Sequence, residues 1–217
     1  MKAIRAFQNV SAIRAVASRF GVLVGLAGIE HGIFEMLQGN VKPDGLLIDA
    51  IGPAQRFWEY SSETALTIIP NMLLSGILAI IVGLAVTIWA AYYVDKKYGT
   101  RVLMLLSIIL WLVGGGFAPV FMAIFAFIAA SRIDRPLNWW RAHLPEFLRD
   151  LLVRLWPCSI LLFVVTFVAG VEIAIFGYPL LWFYSAEATY KIQWALAYIM
   201  VAFWPLSILT AIAYDIQ

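Results

Sequence analysis

Long apolar stretches with few charges alternate with short charged stretches along most of the chain. A bilayer core about 30 Å thick needs about 20 helical residues, so each apolar stretch is long enough to cross a membrane. The pattern therefore predicts an all-α, polytopic transmembrane helix bundle that forms one integral membrane domain over residues 1–217. The apolar stretches cover about 20–37, 66–94, 102–130, 156–184 and 192–214.

The third stretch is longer than one crossing needs, and a turn interrupts it. Three consecutive glycines and a proline disfavour a helix interior and favour a turn. A turn here makes the stretch a hairpin, which leaves only Lys42, Arg56 and Lys191 of the 15 Lys and Arg residues outside. A single crossing divides the basic residues almost evenly, although they normally accumulate on the cytoplasmic side. The turn residues are Gly114, Gly115, Gly116 and Pro119.

The two arms of this hairpin, 98–113 and 117–133, lie at the short end of the spanning range. Two short crossings and a re-entrant hairpin both fit this length. Because either arrangement returns the chain to the cytoplasm, we predict six membrane segments with both termini cytoplasmic.

Three polar segments complete the predicted topology. Residues 1–19 form a basic cytoplasmic lead-in, and residues 38–65 form an outer loop rich in turn residues. Residues 131–155 form a cytoplasmic segment whose second half, 144–155, has apolar residues at helical spacing. This spacing predicts an amphipathic helix on the membrane surface, and a loop helix packed on the protein is the alternative.

Composition excludes a soluble domain and several kinds of site. Apolar residues make up 63% of the chain and charged residues 13%, against about 45–50% and about 25% in soluble domains. The net charge of +2 gives no basic excess for nucleic acid. One cysteine, Cys158, and two histidines, His31 and His143, exclude an intrachain disulfide and a three-histidine zinc site. We predict no cofactor; the expected partners are the lipid bilayer and a second copy of the chain or another membrane protein.

The first membrane segment holds most of the candidate chemistry. It carries Glu30, His31 and Glu35, and ionisable groups inside a membrane segment are costly enough to indicate a function. His31 and Glu35 share a helix face beside a seam of small residues, and Glu30 points roughly opposite that seam. Such a seam lets a neighbouring helix approach closely. This glycine seam comprises Gly21, Gly25, Gly28 and Gly32.

Two further polar residues are predicted at the depth of Glu35, in the outer leaflet. At 1.5 Å per helical residue, Glu172 and Asn71 reach this level, with His31 just beneath. The alternative for Asn71 is to bond the backbone at a helix start. Acidic residues of the outer segments lie above: Asp44, Asp49, Glu59, Glu63 and Glu187. We expect a polar cluster open to the outside, formed by Glu30, His31, Glu35, Asn71 and Glu172.

Three functions are consistent with this cluster. A buried imidazole beside carboxylates can exchange protons near neutral pH or bind a divalent cation, which indicates small-cation or proton transport or binding. A noncatalytic membrane subunit or assembly factor is the first alternative, with His31 and Glu35 only joining helices. An intramembrane enzyme is the second, with His31 and Glu35 as acid, base or metal ligands. We expect transport or binding rather than catalysis.

Three sequence strings resemble those of a group of prokaryotic polytopic membrane proteins of unknown function. They are GIEHGIFEMLQG at 28–39, PDG at 43–45 and VGGGFAPV at 113–120. Through these strings, Glu30, His31, Gln38 and the turn 114–116 match the pattern of that group. The resemblance implies a multi-pass protein of a prokaryotic cytoplasmic membrane and brings no activity with it.

Overall fold

The computed structural model describes residues 11–217 and shows a bundle of α-helices. In chain order these are α1 (Ala12–Leu37), α2 (Met72–Tyr92), α3 (Gly99–Leu112), α4 (Phe117–Ala130), α5 (Asn138–His143), α6 (Glu146–Phe176) and α7 (Ala186–Asp215). Four of them, α1, α2, α6 and α7, are long and apolar enough to cross a membrane. The prediction of a helical, multi-pass membrane protein is confirmed at this level.

The third apolar stretch forms a hairpin of two short helices, α3 and α4. Each has 14 residues and is therefore about 21 Å long, less than the thickness of a bilayer core. The turn between them contains Gly114 and Gly116, with positive φ angles of 102° and 81°. Pro119 lies in the first turn of α4, where a missing N–H costs no helical hydrogen bond. The structure therefore contains four helices of spanning length and one short apolar hairpin.

Two segments that the sequence predicts as separate elements are continuous with membrane helices. α1 begins at Ala12, so the described part of the predicted lead-in 1–19 belongs to that helix, and residues 1–10 lie outside the described residues. Residues 146–155 are the first part of α6, which continues through Pro157. No glycine or proline interrupts 146–156, so nothing stops this helix before the apolar stretch. The amphipathic segment is thus not a separate surface helix.

The outer loop contains a two-stranded antiparallel sheet that the sequence does not predict. β1 (Leu47–Asp49) pairs with β2 (Thr64–Leu66), and three-residue strands are too short to show alternation. Beyond β2 the chain bonds to the hairpin turn. Gly114 donates its N–H to the carbonyl of Leu66 at 2.9 Å, and Ile68 donates to the carbonyl of Leu112 at 2.9 Å. The sheet thus fastens the outer loop to the glycine turn.

α1 lies at the centre of the bundle. It contacts α2, α3, α4 and α7, and its Phe20 ring packs on Phe163 of α6 with centroids 4.4 Å apart. In its most apolar window 61% of residues are buried, against 33–44% in the other three long helices. Polar side chains of α1 therefore face protein on most sides.

The glycine seam of α1 packs mainly against α2. A Cβ added at Gly25 would lie 2.5 Å from the carbonyl oxygen of Gly83, and one at Gly32 would lie 2.7 Å from that of Gly76. Real Cβ atoms essentially never approach this closely, so glycine is what lets the two backbones touch. At Gly21 and Gly28 the added atom would meet the side chains of Ala90 and Leu110, respectively.

Asp215, at the end of α7, caps the start of α1. Its carboxylate accepts hydrogen bonds from the N–H groups of Ala12 at 2.7 Å and Ile13 at 3.0 Å, and from the hydroxyl of Ser11 at 2.7 Å. The first N–H groups of a helix have no partner within it, and a carboxylate there is also favoured by the helix dipole. The start of α1 and the end of α7 therefore lie at the same end of the bundle.

Candidate functional site

The candidate site is built around His31, which is buried in α1 with 3% of its surface exposed. Its Nδ1 lies 2.9 Å from the carbonyl oxygen of Ala27 and 3.2 Å from Oε2 of Glu30. A carbonyl oxygen only accepts, so Nδ1 carries the proton that it donates. Nε2 is therefore the ring atom that gains or loses a proton.

Glu63 of the outer loop faces this second nitrogen. Its Oε2 lies 3.6 Å from Nε2 of His31. The sheet fixes its position, because its N–H donates to Oδ1 of Asp49 at 3.0 Å and its carbonyl accepts from Ala50 at 2.8 Å. The imidazole thus lies between two carboxylates, with Glu30 at one nitrogen and Glu63 at the other.

The surroundings of Glu63 raise the pKa of its carboxyl to near neutral pH. Burial raises the pKa of this carboxyl, the charge of His31 opposes the rise, and the carboxylates of Glu30 and Asp49 add to it. The resulting pKa is about 7. Glu63 is therefore a group that exchanges its proton near neutral pH.

We expect Glu63 to make the folded state less stable as pH rises from about 4.5 to about 7. An unfolded chain loses this proton near pH 4.5, whereas the folded protein keeps it to about pH 7. Between these values the folded state binds more protons, so its stability falls with rising pH. Thermal unfolding across this range should therefore show a smaller fall in Tm for Glu63→Gln than for the wild type.

The control for this measurement is Glu59→Gln, in the same loop, because the side chain of Glu59 is exposed. Its pH profile should follow the wild type. An identical slope in Glu63→Gln and the wild type would contradict the assignment of Glu63 as a carboxyl that stays protonated to about pH 7 in the folded state.

The glycine turn lies directly against the buried ionisable residues of α1. A Cβ added at Gly114 would collide with the carboxylate of Glu35, and one at Gly116 would collide with the imidazole of His31. Only glycine both leaves this space and adopts the positive φ of the turn without strain. The turn therefore forms one wall of the site.

Glu35 is buried without a partner. It has 0% exposure, and among residues 11–217 neither carboxylate oxygen finds a hydrogen-bond partner. The neighbouring hydroxyl of Ser75 lies 2.7 Å from Oγ1 of Thr67 and 3.1 Å from the carbonyl oxygen of Val113. A buried polar group without a partner costs free energy. The burial of Glu35 therefore lowers the stability of the folded protein.

Asn71 and Glu172 do not join this cluster. Asn71 caps α2, since its side-chain oxygen accepts from the N–H of Leu74 at 3.0 Å while its amide donates to Asn40. Glu172 is exposed on α6, about one turn before the end of that helix. A shared depth therefore does not bring their side chains together. Glu30 does join the cluster, because its carboxylate reaches Nδ1 of His31.

A cavity of about 170 Å³ lies beside Glu63, between α4, α6 and α7. Its walls are mostly apolar, with Thr166 and Gln193 as further polar groups. Oε1 of Gln193 is buried and has no hydrogen-bond partner in the described part of the chain. The cavity is large enough to hold several water molecules. Glu63 therefore borders both His31 and this cavity.

Glu63 and Gln193 are not among the site residues that the sequence predicts. Glu63 is one of several outer acids, and no local pattern separates it from Glu59. Gln193 is an isolated amide inside the fifth apolar stretch. A polar side chain in a membrane segment often marks a functional position. The isolated amide in this apolar stretch is therefore the sequence signal that identifies Gln193 as a candidate.

The arrangement is suited to proton exchange. In residues 11–217 no group of three or more His, Cys, Asp or Glu side chains is placed to hold a metal ion. An imidazole with a carboxylate at each nitrogen can take a proton at Nε2 while its charge is balanced. Comparisons with protein families, curated proteins and solved structures find no match for the chain.

Proposed function

We propose that the protein binds protons at Glu63 and His31, with Glu30 held against Nδ1 of the ring, and acts in proton or small-cation transport across a membrane. The observation that supports this most strongly is a buried imidazole between two carboxylates, one of which borders a cavity. A neutral Nε2 can accept the proton of Glu63 after a small side-chain movement, and a charged ring can return it. Glu35 supplies a second buried carboxyl on the same face of α1.

The proposal includes a topology of six membrane segments with both termini cytoplasmic, in a prokaryotic cytoplasmic membrane. At the end of the bundle opposite Asp215 lie Lys42, Arg56 and Lys191. The end with Asp215 carries the other described basic residues, namely Arg14, Arg19, Lys96, Lys97, Arg101, Arg132, Arg135, Arg141, Arg149 and Arg154. The rule that basic residues accumulate inside makes this the cytoplasmic end. The site then lies in the outer half of the membrane.

We expect proteoliposomes that contain the protein to dissipate an imposed pH gradient faster than empty liposomes. His31→Gln should slow this protein-dependent flux at least about tenfold, because it removes the group that carries the proton. Flux is measured with a pH-sensitive dye enclosed in the liposomes. Glu63→Gln should slow it as well, because it removes the carboxyl that faces Nε2.

His143→Gln is a closely matched control. Like His31, His143 has its Nδ1 within hydrogen-bond distance of the backbone carbonyl four residues earlier. The distance from Nδ1 of His143 to the carbonyl oxygen of Trp139 is 2.8 Å. The side chain of His143 is exposed and lies at the other end of the bundle, so this variant should transport like the wild type. Unchanged flux in both His31→Gln and Glu63→Gln would overturn the transport proposal.

Proton binding can be measured independently of flux. The chain has two histidines, so the His143→Gln variant leaves a single imidazole, whose ¹⁵N chemical shifts report on His31. We expect these shifts to change between about pH 5 and pH 10 and the change to move in Glu63→Gln. Shifts that stay constant over this range would exclude His31 as a proton-binding group.

A further inference from the structure

A basic cavity of about 360 Å³ lies at the end of the bundle where Asp215 caps α1. Because α3 and α4 form a hairpin, the loop before α3 and the segment after α4 meet at this end. Residues 94–101 and 127–135 supply the walls. Four cationic side chains line it: Lys96, Lys97, Arg101 and Arg135.

The two carboxylates in the walls do not cancel this charge. Asp95 is held by a cation from outside the cavity, because Nε of Arg14 lies 3.0 Å from its Oδ2. Lys96 lies farther from the same oxygen, at 3.8 Å. Asp134 is exposed and forms no ion pair within the described chain. The cavity therefore keeps a net positive charge and attracts an anion.

Part of the cavity wall is held in place before any ligand binds. Nζ of Lys97 lies 5.2 Å from the centre of the Tyr98 ring, and Cζ of Arg101 lies 5.8 Å from it. Such cation–π contacts keep the two cations close together. Tyr98 and Asp134 are the two non-glycine residues with positive φ in the described chain, at 66° and 56°. Both line this cavity, and unusual backbone of this kind collects at binding sites.

We infer that this cavity binds a phosphoryl group, carried by an anionic lipid headgroup or by a soluble phosphate. Arginine pairs with phosphate oxygens through two parallel hydrogen bonds, and the cavity offers Arg101 and Arg135. Its place at the basic end of a membrane bundle is where pockets for anionic headgroups occur. The inference is independent of the proposed proton site, which lies at the other end of α1.

Native mass spectrometry of the purified full chain tests this inference. The protein in detergent is mixed with phosphatidylglycerol or with phosphatidylcholine, and the lipid that stays bound is counted. We expect phosphatidylglycerol to be retained in preference to phosphatidylcholine. Arg101→Gln and Arg135→Gln should each weaken its binding about fivefold. Arg135→Lys keeps the charge but loses the paired hydrogen bonds, so its binding should fall between that of the wild type and that of Arg135→Gln.

The control is Arg154→Gln, which removes an exposed charge at the same end but outside the cavity. This variant should bind like the wild type, and the Tm of every variant is recorded so that unfolding is recognised. Equal retention of both lipids, together with no binding of inorganic phosphate, would overturn the inference. An equal loss of phosphatidylglycerol binding in Arg154→Gln and in the cavity variants would also overturn the inference. Attraction between the basic surface as a whole and the anionic lipid would then explain the binding.

Inorganic phosphate distinguishes the two sources of the phosphoryl group. If it displaces phosphatidylglycerol, or binds while the lipid does not, the cavity accepts a soluble phosphate. If it does neither and lipid binding depends on Arg101 and Arg135, the headgroup is the ligand. Either result supports a phosphoryl site. Binding of neither probe would overturn it.

Discussion

Gly116→Ala is expected to destabilise the protein by about 2–6 kcal/mol and to lower the yield of folded protein sharply. The added Cβ collides with the imidazole of His31, and forcing atoms into a packed interior costs about 1–3 kcal/mol. The φ of 81° and ψ of 164° at this position lie in a region that essentially only glycine occupies, which adds about 1–3 kcal/mol for any L residue. Thermal unfolding in detergent, together with the yield of monodisperse protein, measures the effect.

Alanine substitutions at two other glycines separate the cost of the steric collision from the cost of the strained backbone. Gly39 has a φ of 84° and no atom within 4 Å of an added Cβ, so Gly39→Ala should cost only about 1 kcal/mol for the strained backbone. Gly45 has open space and no positive φ, so Gly45→Ala should change stability very little. If Gly116→Ala cost no more than Gly39→Ala, the turn would not pack against His31.

Glu35→Gln should have the opposite sign and stabilise the protein by about 1–3 kcal/mol. The carboxyl of Glu35 is fully buried and unpaired within residues 11–217, and burying such a group is costly. An amide fills almost the same volume and carries no charge. Functional sites commonly retain groups that lower stability, so we expect the gain in Tm to come with slower proton flux.

The same variant separates a functional role from a structural one. If Glu35 only holds helices together, Glu35→Gln should lower Tm and leave flux unchanged. Glu172→Gln is the control, because that carboxyl is also on a membrane helix but is exposed. We expect it to shift stability by less than about 0.5 kcal/mol. A loss of stability in Glu35→Gln larger than in this control would contradict the functional assignment.

The helical architecture and the hairpin turn follow from the sequence because both depend on coarse properties. Apolar stretch length sets where helices cross, and the distribution of Lys and Arg favours two segments over one in 102–130. Neither property requires knowledge of side-chain contacts. The sheet of the outer loop is different, because its strands are three residues long and are specified by pairing with the distant glycine turn.

The site is predictable only where its residues stand out within an apolar stretch. Glu30, His31 and Glu35 do so, and all three lie near the glycine turn or Glu63 in the structure. The position of Glu63 depends on how the outer loop folds back over α1, which no local pattern encodes. The depth of a residue in the membrane also does not determine the direction of its side chain. A nearly uniform apolar helix such as α6 does not reveal which of its faces Glu172 occupies.

The cap that Asp215 places on α1 also bears on the order in which the bundle assembles. It joins positions 203 residues apart, and α1 precedes every other described helix while α7 follows them. Until α7 is in place, the N–H groups of Ala12 and Ile13 have no carboxylate to bond. Such a distant contact closes late during folding. Slow hydrogen exchange at these two amides would therefore mark molecules in which α7 is already packed against α1.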